Sequence, residues 1–278
     1  DESASTRDIN RAVADVMTIE RLPTLDIDDV HAKETTWKQI RDTHVARWRK
    51  LADLWVSAYF GNTMTPEEYR AMAAHLQASQ PPGGSKSDSL SGAASQPPGG
   101  FGSGLLNHFL QHPAVTDNDY FHWELAFPEV FFDEYGRSRH KAAGFDAVIG
   151  NPPYVRQEQL TAYKPYYQEK FDSFSGTADL YLYFYEQGVK LLRKAAYISY
   201  ISSGTFAHSN FASAFRKWLP RNAQIENLID FGENQPFIGA EMARPSILIL
   251  RKGEQNEKFR VLIIEDTKIP NSLDTAEK

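Results

Sequence analysis

The sequence predicts an α/β fold in which a mostly parallel sheet with one antiparallel strand follows a helical segment. From Phe145 onward, short apolar runs alternate with stretches of helical spacing, and strand–helix–strand order gives parallel pairing through right-handed crossovers. The runs Ile225–Phe231 and Ser246–Leu250 are joined by Gly232–Pro245, which has no room for a helix of normal length, so this pair is expected to be antiparallel. Ahead of residue 79, apolar side chains recur at steps of three and four, the spacing of helix faces.

The chain has 278 residues, 41% of them hydrophobic and 24% charged, enough to bury a core in one large domain or two smaller ones. It contains no cysteine, which excludes a disulfide framework and a thiolate metal site and fits a cytoplasmic location. No run approaches the roughly 18 to 20 apolar residues of a membrane span. The opening residues, Asp1 to Ser5, have neither a signal-peptide form nor an initiator Met, so the chain is expected to begin inside a longer protein. Net charge is −6, but residues 145–252 carry 12 basic and 10 acidic side chains. The overall sign argues against strong duplex binding by this chain alone.

Asp8–Arg21 can form a helix that Leu22-Pro23 breaks. Between Thr35 and Phe60, Trp37, Ile40, His44, Trp48, Leu51, Trp55 and Tyr59 make one face of a helix that Gly61 ends. An aromatic stripe at that spacing reads as a packing face before it reads as a base-stacking one. Thr65-Pro66-Glu67-Glu68 holds a cap, a first-turn proline and a glutamate three residues on, so a second helix should run to about Gln77 and complete a helical hairpin. Ser-Gln-Pro-Pro-Gly-Gly occurs at 79–84 and again at 95–100, a composition that cannot offset its ordering entropy. The expected organisation is a helical segment (1–78), a flexible linker (79–104) and a sheet-bearing part (105–278). A short helix over Leu105–His112 and a polar turn over Asp133–Lys141 precede the first strand. His108, His112 and His122 lack a carboxylate at metal-site spacing, so no metal is expected.

Phe145 to Ile149 reads as a brief buried strand, and Gly150 leads it into Asn151-Pro152-Pro153-Tyr154. Two prolines fix φ at successive positions and push Asn151 away from the helical region, making a stiff corner. It offers the Asn151 side-chain oxygen and the Pro152 carbonyl as acceptors, with the Tyr154 ring as a flat surface nearby. Such a corner suits an exocyclic amino group on a planar ring: the oxygens take both N–H protons, and the lone pair is left to attack an electrophilic methyl. A Pro-Pro step can also simply end a strand, and these four residues alone leave both readings open.

The corner resembles the catalytic motif of the S-adenosylmethionine-dependent methyltransferases that modify N6 of adenine in DNA. Three more blocks extend the resemblance: Phe121-His-Trp-Glu-Leu-Ala-Phe-Pro-Glu-Val-Phe131, Gly176-Thr-Ala-Asp-Leu-Tyr-Leu-Tyr-Phe184 and Gln235-Pro-Phe-Ile-Gly239. Over about residues 105–255 the chain is similar to type IIG restriction-modification enzymes and related phage-defence methylases. The resemblance implies a Rossmann-like methyltransferase sheet, S-adenosylmethionine as cofactor and double-stranded DNA with a flipped adenine as substrate. It makes Asn151, Pro152, Pro153 and Tyr154 catalytic and sets Phe237 opposite Tyr154 as the second face of an adenine sandwich. Asp179 would lie by the active-site cleft and, with Asn151, border the cofactor. Arg156 and Tyr163, in a loop over Val155–Phe174, would touch substrate, as basic residues among aromatics can.

Plainer roles also fit some of these residues. Phe237 can cap the core, Val155–Phe174 can be a solvated loop, and Asp179 can compensate the dipole of a helix that Gly176 and Thr177 open and whose face is Leu180, Phe184, Gly188 and Leu191. The family's cofactor loop has no credible version here: Phe101-Gly102-Ser103-Gly104 follows Pro-Pro-Gly-Gly instead of a strand, and reads as linker. Three strands of the sheet are therefore expected upstream of Asp1, in a part of the same enzyme that this chain would need as a partner. Alone, the chain should bind cofactor poorly and leave the 145–149 strand with an unpaired edge. Two other classes remain: a glutamine-amide methyltransferase of proteins, which uses the same motif, and a non-catalytic module that docks on DNA or protein.

Overall fold

The structure is a computed structural model and describes residues 4–78, 101–234, 244–255 and 258–264. The chain divides into two compact units, Asp1–Ala143 and Gly144–Lys278. Among the described residues no helix is long and apolar enough to cross a membrane.

The first unit is helical: α1 (Ala4–Arg21), α2 (Ile27–Thr43), α3 (Ala46–Ser57), α4 (Pro66–Ala78), α5 (Phe101–Leu110) and three single turns, α6 (Pro113–Thr116), α7 (Trp123–Ala126) and α8 (Pro128–Phe131). The helix expected over Thr35–Phe60 is broken at His44 and Val45. The break divides the aromatic stripe between two cores. Trp37 packs with Ala12, Val16, Ile40 and Val45, whereas Trp48 packs with Leu51, Leu54, Met72, Leu76, Leu106 and Phe109. The Trp48 indole N–H also donates to buried Asp8 at 2.8 Å, and Arg47 pairs with the same carboxylate. The α4 cap forms as its sequence requires: Glu68 Oε2 accepts the Thr65 N–H at 2.7 Å and the Thr65 hydroxyl accepts the Glu68 N–H at 3.2 Å.

Most of the expected linker, residues 79–100, lies outside the described residues. Residues 101–104 are the first turn of α5, and Leu106 and Phe109 draw that helix into the first unit's core. The three histidines of the sequence analysis have separate surroundings. His108 packs on Phe109, His112 Nδ1 caps α6 and His122 pairs with Asp53 at 2.8 Å.

The second unit is a five-stranded sheet in the order β1-β2-β4-β3-β5, where β1 is Phe145–Gly150, β2 Leu192–Ser203, β3 Ala223–Asp230, β4 Pro245–Lys252 and β5 Arg260–Ile263. β1 runs parallel to β2 and β3 to β5, while β4 lies antiparallel between β2 and β3. This is the expected mixed sheet with one reversed strand. β1 stands at one edge, with Ile149 86% exposed.

Three helices complete the unit: α9 (Lys164–Lys170), α10 (Leu180–Leu191) and α11 (Ser213–Asn222). α10 begins at Leu180, later than Gly176, and its buried residues include Tyr181, Leu182, Tyr185, Gly188 and Val189, while Phe184 is exposed. The face is turned from the expected one because Tyr185 is fully buried and finds a partner for its hydroxyl in Ser202 Oγ at 2.9 Å. Gly188 permits the contact, since a Cβ there would fall 2.2 Å from Ile198 Cδ1 on β2. The expected loop over Val155–Phe174 is also ordered into turns: a 3₁₀ stretch over Gln157–Tyr163 runs into α9, which Pro165 helps to start and Tyr167 fastens against Tyr183 with ring centroids 4.7 Å apart. Buried Glu186 accepts the backbone N–H groups of Asp172 and Ser173 at 2.9 and 2.8 Å and pairs with Lys190 at 2.6 Å, holding the chain where it leaves α9.

Candidate active site at the Asn-Pro-Pro-Tyr corner

β1 brings the chain over the Tyr200 ring at Gly150, where even a methyl group would sit only 3.2 Å from that ring, and the corner follows at once. Pro152 is buried; Asn151, Pro153 and Tyr154 are exposed. Tyr154 Oη lies 2.8 Å from Asn151 Oδ1 and 3.1 Å from the Ile201 carbonyl, so its one proton is shared between the corner and the end of β2. Burial pushes the Tyr154 pKa up to about 12, which keeps the hydroxyl a donor at neutral pH. An amide oxygen has two acceptor sites. Tyr154 therefore orients Asn151 Oδ1 and leaves it one lone pair. Among the described residues nothing hydrogen-bonds to the Pro152 carbonyl.

The corner is pinned to the start of α10 by two bonds. The Leu180 N–H donates to the Val155 carbonyl at 3.0 Å, and the Gln157 N–H donates to Asp179 Oδ1 at 3.1 Å. Asp179 occupies the N-cap of α10, yet its carboxylate binds the corner's continuation and does not cap its own helix. Burial raises its pKa; the Gln157 N–H opposes this, the Glu158 charge adds to it and Arg156 opposes it again.

Beside the corner opens a cleft of about 460 Å³ whose walls include Tyr154, Gln157, Asp179, Tyr181, Thr205 and Phe211. Of the site residues expected from sequence, Tyr154, Asp179 and Arg156 border this cleft. Asn151 joins them through its bond to Tyr154. Tyr163 is not in the cleft wall: it stacks on Tyr167 with centroids 6.2 Å apart. Phe237 and the rest of Gln235–Gly239 lie outside the described residues. Ser203, Thr205, Phe211 and Tyr181 were not singled out by sequence. A positional signal existed for two of them: ligands of open α/β sheets sit at the carboxyl ends of parallel strands, and Ser203 ends β2 and Thr205 follows it as the corner follows β1.

Residues 88–237 match the family described as Eco57I restriction-modification methylase, slightly more than half of the chain. The chain belongs to that family. The matched span takes in the Phe121–Phe131 block, the corner and the cleft walls, and it closes at Phe237. Curated relatives of the chain include the type II methyltransferase M.XhoI of Xanthomonas vasicola, 28% identical over 117 residues that make up 42% of this chain and 21% of that protein. The type II restriction enzyme and methyltransferase RM.Eco57I of Escherichia coli is 30% identical over 128 residues, 45% of this chain and 13% of that protein. The chain thus matches about a fifth or less of the length of these relatives. Among solved structures, the type IIG restriction endonuclease BpuSI is 22% identical with a TM-score of 0.35, over 42% of this chain and 15% of that one. The type ISP restriction-modification enzyme LlaGI, solved as a nuclease-deletion mutant with a DNA substrate mimic, is 19% identical with a TM-score of 0.37, over 58% of this chain and 15% of that one.

Proposed function

We propose that this chain carries the base-holding side of a DNA methyltransferase that moves a methyl group from S-adenosylmethionine to N6 of a flipped-out adenine. The observation that carries this reading is the pair of acceptors at the corner: Asn151 Oδ1, oriented by Tyr154, and the Pro152 carbonyl, to which no described residue hydrogen-bonds. Accepting both amino protons draws the nitrogen lone pair out of conjugation with the ring and frees it to attack the methyl carbon. As that bond forms, the methyl carbon's bond to the donor sulfur breaks and a neutral thioether leaves. Positive charge grows on N6, and both oxygens stabilise it more than they stabilise the ground state. Loss of one N6 proton to solvent then restores a neutral amine. Tyr154 supplies the stacking surface for the base, and Phe237 is proposed as the facing ring.

S-adenosylmethionine supplies the electrophilic methyl group in this family's chemistry. Among the described residues no strand runs into a glycine-rich turn that opens a helix, so they do not complete a site for it, and Asn151 and Asp179 are proposed only as its border. DNA, and the remainder of the methyltransferase domain, are the proposed partners, in a cytoplasmic restriction-modification or phage-defence setting.

Tyr154 provides the test. In the full-length protein, Tyr154→Ala is expected to weaken retention of the flipped base by about 1 to 3 kcal/mol, read as lost fluorescence from 2-aminopurine at the target position. Tyr154→Phe should keep that fluorescence but lower kcat, because the ring remains while the hydroxyl that orients Asn151 is gone. Unchanged fluorescence in the alanine variant would remove the stacking role. Methylation of a glutamine peptide in place of DNA would remove the reading as a whole.

A further inference from the structure

One polar group in the cleft has no work in the mechanism above. Tyr181 is 3% exposed and lines the cleft, yet its hydroxyl, shielded from water, has no hydrogen-bond partner among the described residues. The Thr205 side chain and the Phe206 backbone are close enough to favour its ionised form, but neither makes a hydrogen bond of ordinary geometry with it. The Thr205 hydroxyl is itself engaged with Ser203 Oγ at 2.8 Å. A buried hydroxyl left unpaired is unfavourable, and such exceptions mark places where something else completes the bonding.

We infer that Tyr181 is a specificity-determining residue whose hydroxyl donates a hydrogen bond to a ring nitrogen of the base held in this cleft. The identity of the occupant as an adenine rests on the function proposed above. Once Asn151 and Pro152 accept both amino protons, the remaining edge atoms N1, N3 and N7 of adenine are all acceptors, so the group still required from the protein is a donor. Tyr181 is such a donor, and burial raises its pKa well above neutral, keeping the proton in place.

The charges of the cleft decide against a phosphate as the partner. Among the described residues, two carboxylates, Asp179 and Glu158, line it against the single guanidinium of Arg156. A phosphodiester drawn in as far as Tyr181 would meet like charge in a partly desolvated site, whereas a neutral heteroaromatic ring would not. The Tyr154 and Phe211 side chains in the same walls supply aromatic surface for a flat ring.

The test uses the full-length protein, wild type and Tyr181→Phe, on duplexes carrying adenine or its 1-, 3- or 7-deaza analogue at the target. Tyr181→Phe should keep the melting temperature, because the deleted hydroxyl makes no hydrogen bond to a described residue, and should lower kcat/KM on adenine about tenfold, the scale of one neutral hydrogen bond. One deaza analogue should cost wild type a similar factor and cost the variant nothing further, while the other two remain sensitive to the substitution. Equal kcat/KM for wild type and Tyr181→Phe on adenine would overturn the inference. So would losses that multiply on all three analogues, or a loss that follows a lowered melting temperature. Dependence on a methylphosphonate beside the target would assign the hydroxyl to the DNA backbone and likewise overturn it. Failure of wild type to methylate any of the duplexes is a separate outcome, which would remove the adenine reading of the site and this inference with it.

Discussion

Replacing Asn151 with alanine in the full-length protein is expected to slow methyl transfer to adenine by about two to three orders of magnitude, the loss seen when one transition-state hydrogen-bonding group of about 3 kcal/mol is deleted. On the proposed function the expectation follows from where charge would appear: the target nitrogen becomes cationic as it attacks, and a carbonyl-type oxygen 2.8 Å from a fixed hydroxyl is already oriented to meet it. Asn151→Asp keeps an oxygen at the same place and should lose far less. Single-turnover rates with labelled donor distinguish this from a binding effect, since the alanine variant should keep much of its affinity for DNA. Activity within threefold of wild type in Asn151→Ala would refute the role.

The second large effect concerns stability. Glu186→Ala is expected to cost about 3 kcal/mol, because it leaves the backbone N–H groups of Asp172 and Ser173 and the charge of Lys190 without the carboxylate that now serves all three. The lower end of the range for broken buried pairs applies, since Lys190 is partly exposed although Glu186 is not. Glu186→Gln preserves an acceptor and should fall between the two. Urea denaturation reads the difference, and a loss below about 1 kcal/mol in the alanine variant would mean that the turn after α9 is held by its aromatic contacts instead.

Much of this arrangement was legible in the sequence because it depends on local chemistry. The Thr65/Glu68 capping box, the strand running into Asn151-Pro152-Pro153-Tyr154 and the antiparallel return from β3 to β4 each follow from a few adjacent residues or from the length of one connection. What escaped depends on partners distant in the chain. The break at His44 exists because Trp37 and Trp48 serve different cores, and no spacing within the helix records that. The rotation of α10 is set by a hydroxyl partner, Ser202, that arrives on β2. The cleft is the same kind of case: the topology of the sheet brings Thr205 and Phe211, distant in the chain, into one cleft with Tyr154. Of the residues expected from sequence, Tyr154 and Arg156 reach the cleft from the corner and its continuation and Asp179 from the separate Gly176–Phe184 block, whereas Thr205 and Phe211 are brought in by topology.

Duplex DNA methylated by the full-length protein with labelled donor, then digested to nucleosides and separated, tests the chemistry of the corner most directly. Label recovered as N6-methyladenine, and lost in Asn151→Ala, is the expected result. Label recovered at C5 of cytosine, a ring carbon with no amino protons for Asn151 and Pro152 to accept, would contradict it.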